Sequence, residues 1–421
     1  MFLRPGISEH NPLEATDLAI LAAVGLGYAL VSRRLGRTIV SAAMVFLTAG
    51  IVLGDAVLGL FTIGPSGATL RLVAESTLAL VLFTDASKID LRTLRRELAV
   101  PVRLLGIGLP LTIVAGVGAA LLTLPGLTLV EAALLAIAVA PTDAALGAAV
   151  VSDERVPSRI RQGLNVESGL NDGLCVPLLL IALAVVSAEG GTETAPLQLV
   201  IEEIGFGVFA GVAAGGAGAL ALRIARKRQW VAQVWAPVVP LMIVGLAYGL
   251  ATVLHGSGLI ATFVAGLAYG TILAGSDEET AEVAETLGSA MAAVTFFIFG
   301  AAVVPITLAG LSWGPVIFAV LALTVVRVLP VALALLGLGA RLPTVAFLAW
   351  FGPRGLASIV FAVLILQGGP IPHLELILTT ITVTIVLSVY AHGVTAIPLT
   401  DRYVAWAAAH PRHPLHTTGE A

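Results

Sequence analysis

Cysteine is almost missing from this sequence. Its 421 residues contain one, Cys175, which excludes an internal disulfide and a thiolate metal cluster. Charge is scarce as well, at 11% of residues against 58% hydrophobic. A water-soluble domain cannot cover its surface with so little charge. No polar stretch between apolar runs is long enough to fold by itself, and there is no nucleotide-binding motif and no His-Glu-x-x-His. An enzyme, a cofactor protein and a regulatory domain are therefore not expected in this chain. The net charge of −4 gives no basic surface for nucleic acid. The opening "MFLRPGISEHNPLEATD" lacks a basic segment followed by an apolar one, so no cleaved signal peptide is expected.

What is present is hydrocarbon. Mean hydropathy is +1.02, and continuous apolar runs recur at the length needed to cross about 30 Å of bilayer. The runs do not alternate, which excludes a β-barrel. The fold class is an all-α polytopic membrane protein with about thirteen transmembrane helices. They are read at 17–32, 38–54, 69–87, 98–123, 129–151, 163–187, 198–222, 235–254, 258–274, 287–308, 312–337, 343–367 and 374–397. Lys and Arg accumulate on the cytoplasmic side of membranes. With thirteen spans, 18 of the 22 basic residues fall on one side. That places the N-terminus (1–16) outside and a short tail (398–421) in the cytoplasm. The acidic loop 274–288 is the one cytoplasmic connection without a base.

Charges inside a span cost at least about 2.5–3.5 kcal/mol each, so each needs a reason. In "GLNVESGLNDGLCVPLLL", Ser168 and Asp172 are four apart and share a helix face, as do Glu167 and Asn171. A carboxylate beside a hydroxyl makes an oxygen cage for a small hard cation. Pro141 in "AIAVAPTDAALG" breaks the preceding span next to Thr142 and Asp143. Asp143 reads both as a cap of the second half-helix and as part of the site. "FLAWFGPRGLASIV" breaks the twelfth span, with Arg354 in the break. Breaks in the fifth and twelfth spans point to inverted six-helix repeats joined by the seventh. Arg327, in the eleventh span, needs an acid. Glu167 is the most economical partner, with Asp143 or Asp172 as the alternative. Glu75 is read as reaching the outer interface or another protomer. Asp85 is read as part of a solvated cluster with Lys88, and His392 as lying near a helix end.

These residues carry a resemblance. "PTDAALGAAVVSDERVPSRIRQGLNVESGLNDG", together with "LVLFTDASKIDLRTLRRE", "VVRVLP" and "GPRGLASIVFAVL" in that order, resembles the cation:proton antiporters of the NhaP and eukaryotic sodium/proton exchanger type. The resemblance spans nearly the whole membrane region. It implies an NhaA-like antiporter fold with a core bundle (98–187 and 312–397) moving against a dimerisation scaffold (17–87 and 198–308). It implies a homodimer in a bacterial or archaeal inner membrane, serving pH homeostasis. Asp172 matches the essential ion-binding aspartate, Ser168 and Thr142 match ligands beside it, and Asp143 matches the acid of the unwound crossing. Asn171 stands where electrogenic relatives carry a second aspartate. Glu167 and Arg327 match a structural ion pair, and Arg354 the arginine of the second crossing. Ala144 and Ala145 follow Asp143 where the family commonly has proline, and "GLND" replaces "LLND".

The implied activity is electroneutral exchange of Na⁺ or Li⁺ for H⁺, one for one, by alternating access. The cation and the proton compete for Asp172, and no cofactor is needed. A K⁺/H⁺ antiporter and an organic-anion/sodium symporter using Arg354 are the alternatives. An intramembrane aspartyl protease would need Tyr–Asp and Gly-x-Gly-Asp elements, which are absent. An ion channel would need a continuous pore and filter rather than paired broken helices.

Overall fold

A computed structural model of the chain describes residues 14–36, 38–61, 68–89, 99–143, 146–151, 153–189, 196–273, 278–368 and 370–410. All regular structure among these residues is helical. In chain order the helices are α1 (Ala15–Leu35), α2 (Ala42–Leu53), α3 (Ala68–Ser87) and α4 (Ala99–Thr123). The first broken element follows as α5 (Leu129–Ala138) and α6 (Ala148–Val151). Next come α7 (Ser158–Glu189), α8 (Pro196–Lys227), α9 (Val239–Val253) and α10 (Gly258–Leu273). Helix α11 (Glu278–Ile298) continues through a π turn, and α12 spans Trp313–Ala334. The second broken element is α13 (Leu342–Trp350) and α14 (Leu356–Gln367), and α15 (Leu374–Ala408) ends the fold. Among the described residues, eight helices are long and apolar enough to cross a membrane.

Local chemistry sets the boundaries. Thr128 and Glu131 form a reciprocal capping box at the start of α5, with bonds of 3.2 and 2.9 Å. Helix α5 stops at Ala138 because Pro141 has no N–H to continue the ladder. Pro353 interrupts the second element in the same way, and an irregular stretch separates Trp350 from Leu356. The last helix runs past the expected end at 397 to Ala408, because Tyr403 and Ala407 bury against the bundle. His392 therefore sits in the middle of a 35-residue helix, not near its end.

Packing uses small residues. Gly207, Gly211 and Gly215 lie four apart on α8, and a Cβ on any of them would strike the backbone of Ser257, Ala261 or Ala265. Two helices approach this closely only when neither presents a side chain there. Large side chains point outward instead, where hydrocarbon replaces water; Leu30, Leu122 and Trp313 are among the most exposed. Several stretches named above lie outside the described residues: the N-terminal stretch before Glu14, the loop 274–277, Ala144, Ala145, Arg92, Arg95 and Arg96, and the tail from 411.

Candidate functional site

The two broken elements meet at their breaks. The Asp143 N–H donates to the Pro353 carbonyl at 2.8 Å. Asp143 Oδ2 accepts the N–H of Leu356, the first residue of α14, at 2.8 Å. Oδ1 accepts the N–H of Leu146 at 3.2 Å. One carboxylate thus satisfies amides that both breaks leave free, and its charge faces the positive end of α14. Gly355 must be glycine-sized, since a Cβ there would collide with this carboxylate.

Helix α7 passes beside the crossing. Asn171 clamps Thr142 at two points: Nδ2 donates to Oγ1 at 2.6 Å, and Oδ1 accepts the Thr142 N–H at 3.2 Å. Ser168 Oγ lies 3.0 Å from the same Thr142 hydroxyl. Asn171 is therefore turned to the unwound backbone. The i, i+4 spacing groups it with Glu167, but their side chains meet different elements.

Glu167 goes to Arg327. The pair is bidentate, at 2.5 and 2.8 Å, and both side chains are buried. Arg327 is forked against carboxylate in the geometry that guanidinium favours. Gly352 lets it pass, because a Cβ there would come within 2.6 Å of Arg327 Nε. Arg354 is fully buried; its N–H donates to Ser388 Oγ at 2.6 Å and Nη1 to the Gly352 carbonyl at 2.8 Å. It makes no ion pair with a carboxylate among the described residues.

Asp172 is different from these. It is buried, and its Oδ1 has no hydrogen-bond partner among the described residues. It lines a cavity of about 310 Å³ shared with Asp143, Thr84 and Asp85. Lys88 and Glu285 also line this cavity, 2.8 Å apart and partly exposed, and mark its mouth. Asp85 belongs to the wall of this cavity, packed against Gly169 of α7, whose added Cβ would come within 3.0 Å of it. The expected Lys88–Asp85 cluster is replaced by Lys88–Glu285. No group of three or more His, Cys, Asp and Glu able to hold a metal occurs among the described residues.

Two further groups meet partners that the sequence did not give them. Ser388 and His392, four apart on α15, hold the second break: His392 Nε2 lies 2.9 Å from the Trp350 carbonyl, and its Nδ1 lies 3.2 Å from Ser388 Oγ. The i, i+4 rule applied to "SVYAH" would have found them. Glu75, read as reaching the outer interface or another protomer, accepts from Arg71 Nε at 2.6 Å and from Tyr248 Oη at 2.5 Å.

Known proteins resemble this chain along most of its length. It is 26% identical over 371 residues to the K⁺/H⁺ antiporter NhaP of Alkalimonas amylolytica, covering 86% of this chain and 63% of that protein. It is 27% identical over 256 residues to a Na⁺/H⁺ antiporter of Schizosaccharomyces pombe, covering 57% of this chain and 54% of that one. The chain thus spans less than two thirds of the length of these curated relatives. The solved structure of the sodium proton antiporter MjNhaP1 from Methanocaldococcus jannaschii superposes with a TM-score of 0.73 at 20% identity, covering 90% of this chain and 98% of that one. The antiporter fold is thereby shown. Residues 19–402 match the family described as sodium/hydrogen exchanger, transmembrane, and the chain belongs to that family.

Proposed function

We propose that the protein is a secondary transporter that exchanges a monovalent alkali cation for a proton by alternating access. The observation that carries this reading is Asp172, a buried carboxylate with an oxygen left unbonded at the end of an open, acid-lined cavity. A lone buried anion is costly. It is relieved by one proton or by one alkali cation, and the two cannot be held at once. Whichever is bound leaves the site neutral, and a neutral site can cross the hydrocarbon core. One positive charge then moves each way per cycle, so exchange is electroneutral.

The neighbours have supporting roles. Ser168 and Thr142 supply hydroxyl oxygens beside Asp172. Asp143 already accepts two backbone amides, so it acts on the cation mainly by fixing the crossing and adding negative field. Glu167 and Arg327 brace α7 against α12. Arg354 is the fixed positive charge of the second crossing. The mobile core comprises 98–187 and 312–397, working against a scaffold of 17–87 and 198–308 in a homodimer. The N-terminus lies outside and the tail in the cytoplasm, in a prokaryotic inner membrane. Sodium, with lithium, is the proposed cargo. Potassium is the second reading, supported by the K⁺/H⁺ antiporters among the relatives.

The test uses proteoliposomes with an acid interior, a pH-sensitive dye and a clamped potential. NaCl, LiCl, KCl or choline chloride is added outside. Na⁺ and Li⁺ dissipate the gradient with the native chain and fail with Asp172→Asn. If no alkali cation moves protons, or if Asp172→Asn is fully active, the reading falls.

A further inference from the structure

The end of α8 is rich in exposed bases. Arg223, Lys227 and Arg228 are exposed there and make no ion pair among the described residues. Three exposed bases elsewhere meet acids: Arg71 pairs with Glu75, Lys88 with Glu285, and Arg155 with Asp153 and Asp401.

The helix end shapes this charge into a corner. The Trp230 N–H reaches back to the Ala225 carbonyl at 2.8 Å and the Gln229 N–H to the Arg226 carbonyl at 3.0 Å. With Gln229 at φ 54°, this is a Schellman closure without glycine. The turn folds Trp230 under Arg228, whose guanidinium carbon sits 4.9 Å from the ring centroid. Trp230 and Trp235 remain 67% and 66% exposed, and Val234 stands out beside them. On the same helix, Leu220 and Ile224 face outward just below the charged turn.

Each layer matches one part of a lipid. Guanidinium groups bind phosphate in a fork, indoles favour the headgroup depth, and the aliphatic residues below meet acyl chains. Basic clusters beside a membrane helix attract anionic lipid by about 1 kcal/mol per charge. A helix C-terminus favours bases by itself, but that does not account for an exposed Trp230 folded against Arg228 with a second exposed tryptophan, Trp235, five residues on. We infer that this corner is a binding site for the headgroup of an anionic phospholipid. The site lies on the scaffold side of the proposed division and does not depend on Asp172 or on the exchange reading.

The test is thermal unfolding of the full chain in detergent with added phosphatidylglycerol, phosphatidylcholine or inorganic phosphate, with native mass spectra in parallel. Phosphatidylglycerol raises the melting temperature and stays bound in the spectra, while the other two do neither. The triple substitution Arg223→Gln, Lys227→Gln, Arg228→Gln melts like the native chain in phosphatidylcholine but loses the phosphatidylglycerol shift. Trp230→Ala reduces it. An equal shift with phosphatidylcholine, a shift with inorganic phosphate alone, or an undiminished shift in the triple variant overturns the proposal.

Discussion

Asp143 and Leu356 lie 213 positions apart in sequence, yet the carboxylate of the first caps the backbone amide of the second at 2.8 Å. This bond ties the first interrupted helix to the second. A link between the two breaks holds them as one unit, as the proposed alternating access needs.

Removing that cap has a measurable cost. Asp143→Ala leaves the amides of Leu356 and Leu146 without an acceptor in a buried site. Each unsatisfied group costs about 1–3 kcal/mol, so the variant loses about 2–6 kcal/mol on unfolding. Asp143→Asn keeps one acceptor oxygen and loses less. Melting in detergent separates the two. An Asp143→Asn variant that melts normally but cannot exchange would make Asp143 a direct ion ligand instead.

The Glu167–Arg327 pair behaves as a unit. Glu167→Gln leaves a buried guanidinium without its countercharge, which costs about 3–5 kcal/mol. Adding Arg327→Met removes the stranded charge and restores part of the melting temperature. A thermal melt unchanged by Glu167→Gln alone would mean that the pair does not hold the fold.

Asn171 separates a structural role from an electrical one. Asn171→Asp keeps an acceptor for the Thr142 N–H, but the bond that Asn171 Nδ2 donates to the Thr142 hydroxyl is lost, and that hydroxyl must donate to the carboxylate instead. The added carboxylate brings a further charge into the moving core. Exchange in proteoliposomes should then become sensitive to membrane potential, whereas the proposed electroneutral cycle predicts an insensitive native chain. Potential-independent exchange in the variant would show that position 171 never carries net charge.

Much of this architecture is legible in the sequence, and the illegible part has a common cause: contacts between residues far apart in the chain. Pro141 and Pro353 mark the breaks because the missing amide is a property of the residue itself. Charge cancellation brings an acid to Arg327, although only geometry chooses among Glu167, Asp143 and Asp172. Asp85 is misread because Lys88 lies three residues away, and sequence proximity suggests a local pair. Lys88 instead crosses to Glu285, which leaves Asp85 on the cavity wall. The polar "TDRYVAWAAAH" reads as a tail because its buried side, Thr400, Tyr403 and Ala407, is spaced too sparsely to stand out.

Asp85 yields a prediction of its own. A carboxylate lining a cavity raises the local cation concentration. Asp85→Asn should raise the cation KM by about tenfold at most while leaving the maximal rate close to native. Loss of the maximal rate with an unchanged KM would place Asp85 in the moving step rather than in the approach.

The last prediction concerns acid. Asp153 lies in the connection between α6 and α7, and Arg155 beside it donates hydrogen bonds that hold its carboxyl below the ordinary 3.8. Arg155 also reaches Asp401 at 2.9 Å, tying this connection to α15. A depressed folded pKa means that the unfolded chain takes up the proton first as pH falls. The contribution is therefore complete above about pH 5, shrinks as pH drops through about 4, and is gone once the folded carboxyl protonates. Arg155→Gln should melt slightly below the native chain at about pH 7. The gap should close as the pH falls below the ordinary carboxylate range, because the native chain then loses the same interaction. A gap that stays constant from about pH 7 to about pH 3 would assign the effect to packing of the arginine stem, which does not titrate.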